Sequence, residues 1–307
     1  MTFRVSIVIP TYNNAQYLKT AIDSVLAQSY GNIELIVLDD GSTDGTTEIL
    51  REYGTAFKWN SHANIGQSAT LNKGWASATG EIFSYLSADD ALLPRAVQDA
   101  VDFLNGNDSC ILTYCDYDLI NEYSQKIRTV QTPEFDYWDM VVRLICQPGP
   151  GVFFRRSVFE KIGGWDERLR QIPDLDYWIR LGIHGPFKHI PSVGALYRVH
   201  EESQTFAKAD YRGAQEPVEV IKRFYAQQNG MPDRIRGDSK RSLSNAYLMS
   251  ARLHIRSNRS LPGARNIFYA FRLHPLGMVE PRTIKLLINA LLSRSFYKLW
   301  YRIGRKT

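Results

Sequence analysis

The strongest constraint on this chain is a pattern repeated near its start, a short apolar run that stops abruptly in polar residues. Val5-Ser6-Ile7-Val8-Ile9 closes in Pro10-Thr11-Tyr12-Asn13-Asn14, and Glu34-Leu35-Ile36-Val37-Leu38 closes in Asp39-Asp40-Gly41-Ser42-Thr43-Asp44-Gly45. Runs this short and this apolar predict parallel strands buried on both faces. Between them Leu18, Ile22, Val25 and Leu26 recur at helical spacing, which makes a βαβ unit with polar residues at both carboxyl ends. Open α/β sheets bind their ligands outside those ends. Ser42, Thr43 or Asp44 can cap a helix through Thr46, Ile49 and Leu50. One cap explains one acid; it does not explain Asp39, Asp40 and Asp44 together.

A turn and helix from Asn64-Ile65-Gly66-Gln67-Ser68 lead through Gly80-Glu81 to a further apolar run, Ile82, Phe83, Tyr85 and Leu86. It ends in Ser87-Ala88-Asp89-Asp90, with Pro94 opening the next element. Two adjacent carboxylates repel unless a cation or hydrogen-bond donors compensate them, and hard oxygen ligands favour Mg²⁺ or Mn²⁺. From these residues alone two readings stand: a divalent ion ready to hold a diphosphate, or Asp89 as a plain helix cap.

At 307 residues the chain can bury a substantial core as one large domain or two. Its net charge of +5 is unevenly spread: from Arg234 onward there are 16 Lys and Arg against 2 Asp and Glu, leaving the preceding residues at −9. An acidic body thus carries a basic tail. Three cysteines, Cys110, Cys115 and Cys146, suggest neither a disulfide framework nor a zinc site. The first apolar run is too short for a leader and meets Pro10, so a start in the cytosol is expected. No run of about twenty residues is apolar enough to span a bilayer.

No Gly-x-Gly-x-x-Gly loop follows the first strand and no Gly-Lys-Ser or Gly-Lys-Thr loop is present, which disfavours a dinucleotide enzyme and a P-loop NTPase. A nucleic-acid reader, suggested only by the basic tail, lacks a recognisable module, so no nucleic-acid partner is expected. From about Val5 to Thr205 the chain resembles the family two glycosyltransferases. The resemblance rests on Ser-Ile-Val-Ile-Pro-Thr-Tyr-Asn, then Gln28, then Glu-Leu-Ile-Val-Leu-Asp-Asp-Gly-Ser-Thr-Asp-Gly-Thr, Asn64 with Gly66, and Ser-Ala-Asp-Asp with Pro94. It implies a GT-A fold, a Rossmann-like mixed, mostly parallel sheet flanked by helices, and inverting transfer from a nucleotide sugar. Residues 1–205 would form the transferase domain, 1–105 its nucleotide-sugar half and 106–205 its acceptor half, followed by a basic helical region over 206–307.

Carried over by the resemblance, Pro10, Thr11, Tyr12 and Asp40 hold base and ribose. A carboxylate opposite a uracil N–H favours UDP. The family's Asp-x-Asp metal motif falls on Ser87-Ala88-Asp89, with serine in place of the first acid. Asp89 is therefore the expected ligand of Mn²⁺ or Mg²⁺, Ser87 or Asp90 assisting and Ala88 lining the nucleotide. Ile162-Gly163-Gly164-Trp165-Asp166-Glu167 resembles the acceptor-side segment, where the face of Trp165 could stack on a sugar or pack in the core. Pro173-Asp174-Leu175-Asp176 aligns with a Glu-Asp motif whose aspartate is the catalytic base, here Asp174, while Asp176 reads as a structural partner. Tyr197-Arg198-Val199-His200 resembles the closing motif in which the histidine approaches diphosphate or metal.

Ile111-Leu112-Thr113-Tyr114 reads as a strand followed by a solvated loop holding Asp116, Tyr117 and Asp118. Helices are expected over Leu243 to Ile255 and Ala264 to Leu273, separated by Asn258 to Gly263, and from about Thr283 to Ile303. In the last, Arg294, Lys298 and Arg302 share one face and Leu292, Phe296, Leu299 and Ile303 the other, a pattern suited to the interface of an anionic membrane. The expected reaction is transfer from a UDP-sugar to a hydroxyl of a glycan or lipid-linked glycan in cell-surface polysaccharide assembly, in the cytoplasm or on the inner face of the cell membrane. A non-catalytic sugar-nucleotide binding module and a nucleotidyltransferase are the alternatives. Survival of Asp89, Asp174 and His200 argues against the first, and the absence of a Gly-rich basic loop against the second.

Overall fold

A computed structural model describes residues 2–200, 203, 208–227 and 230–290. The chain falls into two compact units, Met1–Asp136 with Cys146–Ser203, and Tyr137–Ile145 with Gln204–Thr307.

The first unit opens with β1 (Val5–Thr11), α1 (Ala15–Leu26), β2 (Ile33–Asp39), α2 (Thr46–Glu52), β3 (Lys58–Ser61), α3 (Gln67–Ser77), β4 (Ile82–Tyr85), β5 (Ala91–Leu92) and α4 (Ala96–Asn105). Strands β3, β2, β1 and β4 lie side by side and all parallel, with Thr11 opposite Asp39 and Val8 opposite Tyr85. Every residue of β1 is buried, as its unbroken apolar run requires of a central strand. The register brings the polar ends of β1, β2 and β4 to one edge of the sheet. Behind β1, Gly74 of α3 lets helix and strand approach closely: a Cβ there would lie 2.4 Å from Val8 Cγ1. At the other end of the strands, Glu34 is buried and accepts from Ser6 Oγ (2.6 Å), Thr79 N (2.7 Å) and Lys58 Nζ (2.9 Å).

The sheet continues with β6 (Leu112–Ile120), β7 (Lys126–Val130), β8 (Phe153–Arg155) and β9 (Phe187–Arg198). Here β8 pairs antiparallel with β4 and β6, β9 runs parallel to β6, and β5 pairs antiparallel with β9. The result is a mixed α/β sheet with a fully parallel half. Strand β6 is longer than the apolar run predicts: Asp116 and Asp118 lie inside it and are largely buried, not in a solvated loop. Neighbouring strands supply their partners. Asp116 accepts from Thr132 N (2.8 Å) and pairs with His189 (2.7 Å), and Asp118 pairs with Lys126 (2.8 Å).

The second unit is helical: α5 (Tyr137–Val142), then, beyond the first unit's α6 (Arg156–Ile162) and α7 (Pro173–Leu181), come α8 (Tyr211–Ala226), α9 (Asp233–Gly237), α10 (Ser239–Arg256), α11 (Ser260–Leu273) and a 3₁₀ turn, Pro275–Val279. The break between α10 and α11 is shorter than expected. Gly263, expected in that break, is inside α11, where a Cβ would meet Ile255 Cγ1 at 2.8 Å; it serves close helix approach. Residues 281–290 are helical, and the remainder of the expected final helix, with Arg294, Lys298 and Arg302, lies outside the described residues.

Candidate active site

The loops after β1 and β2 are laced together by their own polar side chains. Asn13, in the left-handed region at φ 49°, donates its N–H to Ser42 Oγ (2.8 Å) and accepts from Thr43 N (2.8 Å). Asp44 accepts from Ala15 N (2.9 Å) and Thr46 Oγ1 (2.6 Å), while Asp39 accepts from Ser61 Oγ (2.6 Å) and Ser42 N (3.0 Å). Asp40 takes the backbone amides of Ile65 (2.7 Å) and Gly66 (2.9 Å). Three acids that no single cap explains therefore each hold a different strand of this loop cluster. Pro10 and Thr11 are buried at its base and Tyr12 is half-exposed above it. Thr11 Oγ1 and, beside Asp40, His62 Nε2 are buried without a hydrogen-bond partner.

After β4 the Ser87-Ala88-Asp89-Asp90 turn leads into β5, whose pairing with β9 sets Ala91 opposite Leu196. That register carries the end of β9 onto the acids. His200 Nε2 lies 3.0 Å from Asp89 Oδ2. Asp90 turns the other way: it is buried and its Oδ1 accepts from Arg198 N (2.8 Å). Burial first, and the Asp89 charge beside it second, push the Asp90 carboxyl well above the usual carboxylate range. Among the described residues no three His, Cys, Asp or Glu converge as a ready metal cage. Asp89 offers the hard carboxylate oxygen that Mg²⁺ and Mn²⁺ accept, with the His200 imidazole beside it, and Mg²⁺ commonly uses one or two carboxylates with substrate phosphates and water for the rest.

Arg198, within the Tyr197-Arg198-Val199-His200 motif, ties this region together. It is 1% exposed. Its Nε donates to Asp89 O (2.8 Å), and one terminal nitrogen donates to Asn121 O and Ser124 Oγ (2.9 Å each). Its guanidinium lies 4.5 Å from the ring centre of Tyr17, which also packs against His200. A buried arginine needs partners for its donors, and here Nε finds one on the turn carrying the acids and Nη1 on the β6–β7 turn. In the sequence its only signal is its place between Tyr197 and His200.

A cavity of about 100 Å³ adjoins the acids, lined among others by Ser87, Asp90, Tyr85, Tyr197, Pro148 and Asp174. Asp174 stands in the first turn of α7, behind a proline whose fixed φ suits the first helical position. Burial raises its carboxyl above the ordinary 3.8, tempered by the Leu175 amide, which donates to Oδ1 (2.8 Å). Burial, with the Asp174 charge next, also holds the Tyr85 phenol protonated. Asp176 is buried and pairs with Arg180 (2.9 Å), whose guanidinium also bonds Gly164 O (2.8 Å). A larger concavity of about 750 Å³ lies around the start of β2, but its single acid, Glu34, is consumed by Ser6, Thr79 and Lys58.

Trp165 is buried, with its ring 5.1 Å from Tyr85 and 6.2 Å from Trp75, both edge-on. Its backbone is clamped by Asn72, which accepts from Trp165 N and donates to Trp165 O (2.8 Å each). Asp166 pairs with Arg168 through two bonds of 2.9 and 2.8 Å.

A family model described as Glycosyl transferase family 2 matches residues 6–163. An uncharacterized glycosyltransferase of Rickettsia typhi is 37% identical over 184 residues, 57% of this chain; the match spans 58% of that relative's length. Among solved structures, Staphylococcus aureus TarS 1-349 in complex with UDP-GlcNAc superposes with a TM-score of 0.61 at 15% identity, over 88% of this chain and 91% of that one. The mannosyltransferase PcManGT of Pyrobaculum calidifontis, in complex with GDP-Man and Mn²⁺, gives 0.62 at 18% identity, over 98% and 88%. At these identities the structural likeness carries the fold.

Proposed function

We infer the reaction from the premise that this chain belongs to glycosyl transferase family 2 and is a glycosyltransferase of GT-A fold. The transfer we propose is a single displacement from a UDP-sugar to a hydroxyl of a glycan or lipid-linked glycan, with inversion at the anomeric carbon. Cell-surface polysaccharide assembly at the inner face of the membrane is the setting that such an acceptor suits. The observation that carries the reading is the Asp89–His200 pair, drawn to 3.0 Å at the same sheet edge as the cavity lined by Asp174.

Uracil and ribose would lie against Pro10, Thr11, Tyr12 and Asp40, with the diphosphate running past Ser87 and Ala88. The unpartnered Thr11 Oγ1 supports a polar ligand there. TarS is known with UDP-GlcNAc, and the mannosyltransferase with GDP-Man, so the base is a point to test. Asp89 and His200 would hold Mn²⁺ or Mg²⁺, which when bound supplies Lewis-acid stabilisation of charge on the departing diphosphate oxygen. Asp90 supports this pair from below through the Arg198 amide. Asp174 takes the proton of the acceptor hydroxyl as that oxygen attacks, and its raised pKa makes it a stronger base than an exposed carboxylate. Trp165 and Asp166 would shape the acceptor side, the tryptophan through the position it imposes on Tyr85.

Calorimetric titration with UDP, GDP, CDP and dTDP, in Mn²⁺, Mg²⁺ and chelator, tests this for the wild type and Asp89→Ala. UDP binding that requires metal and is lost in the variant is the expected result. Absence of binding by every diphosphate would overturn it, and tighter binding of GDP would replace the donor.

A further inference from the structure

The second unit carries a surface that its own core does not explain. One side of α11 is buried through Gly263, Asn266 and Ala270. At about 100° per residue, Leu261, Arg265, Phe268 and Arg272 cluster within roughly 60° on the opposite side. Leu261 is 82% exposed, Phe268 55% and the adjacent Phe271 52%, and the following turn adds Leu276 at 76% and Val279 at 71%. Single exposed apolar residues are ordinary, but Leu261 and Phe268 on one face, Phe271 about 90° round the helix and two more in the turn that follows form a cluster, and such clusters mark interaction surfaces.

Charge selects the occupant. From Ser239 to Val279 the sequence has seven Lys or Arg and no Asp or Glu; Arg265 and Arg272 lie on this face, while Arg241 is paired with Glu280 and Arg259 bonds His254 and the Ala209 carbonyl. A bare apolar patch for a protein partner needs no such bias, and a nucleic acid has no use for exposed leucine and valine. An anionic bilayer surface takes both, apolar side chains at the acyl boundary and arginines among the headgroup phosphates. We propose that the outer face of α11, with the turn that follows it, docks on an anionic phospholipid membrane. No helix among the described residues is long and apolar enough to cross a membrane.

This docking rests on α11 and its turn, not on the transfer reaction, and it stands or falls separately from donor binding. The full chain is sedimented with vesicles of phosphatidylcholine alone and of phosphatidylcholine with phosphatidylglycerol, at low and high salt. Binding to the anionic vesicles that weakens with salt is expected. Arg265→Gln with Arg272→Gln lowers the partition coefficient roughly 30-fold, from about 1 kcal/mol per basic residue at such a surface. Phe268→Ser with Phe271→Ser lowers it about tenfold, and all variants keep the wild-type melting profile and UDP affinity. Equal binding to neutral vesicles, or variants that bind like the wild type, would overturn the proposal. So would a dimer in light scattering that Phe268→Ser dissolves, without vesicle binding, since the face would then join two copies.

Discussion

Replacing Glu34 with glutamine separates stability from catalysis in this fold, because Glu34 sits at the end of the sheet away from the acids at the other edge. Burial pushes its carboxyl up, but hydrogen bonds from Ser6, Lys58 and Thr79 outweigh that and pull it from 4.5 to about 2. The carboxylate is 3% exposed, so little is lost to solvent screening except on the Lys58 arm, whose ammonium is largely in water. At about 1.4 kcal/mol per pH unit, the ionised group contributes roughly 3 kcal/mol to the native state at neutral pH. The sign follows from a folded pKa below the unfolded one. The contribution is fully present above pH 4.5 and is lost as pH falls toward 2. By pH 3 about 2 kcal/mol of it is gone. Urea melts of wild type and Glu34→Gln at pH 7 and pH 3 measure this directly. The variant is less stable by about 3 kcal/mol at pH 7, and the gap shrinks to about 1 kcal/mol at pH 3. UDP affinity of the folded variant stays unchanged. A gap that is constant with pH would refute the reasoning, because it would mean that packing, not the ionised carboxylate, carries the effect.

Asp174→Asn should lower kcat by about 10²- to 10⁴-fold, the range of a lost general base, while UDP titrations match the wild type. Because burial raises the Asp174 pKa, the acid limb of kcat/KM should lie above pH 3.8, activity falling as pH drops through it. The same raised pKa means that the ionised group disfavours the native state near neutrality, so Asp174→Asn should also raise the melting temperature; a lower one would point to a structural role. Gly74→Ala should destabilise by about 1 to 3 kcal/mol through overpacking against Val8, and Gly74→Ala with Val8→Ala should recover part of it in the same urea melts.

The parallel half of the sheet was legible in the chain itself. An unbroken apolar run such as Val5–Ile9 has no stable place but a central strand, and its polar ending must surface at the ligand edge. The family's motifs likewise named the transferase and the acids along that edge. What the linear chain could not carry was the partner of each group. Asp116 and Asp118 looked solvated because a strand that buries charge is credible only once His189 and Lys126 are supplied by its neighbours. Arg198 read as one letter in a motif, yet its role depends on backbone oxygens more than seventy residues away. Asp89 and Asp90 are adjacent in sequence, where one is the expected metal ligand and the other its assistant. The pairing of β5 with β9 turns one toward His200 and the other into the core. Local sequence decides which elements form, because period and apolarity are local. Which carboxylate meets which cation is decided only when distant strands are brought into register.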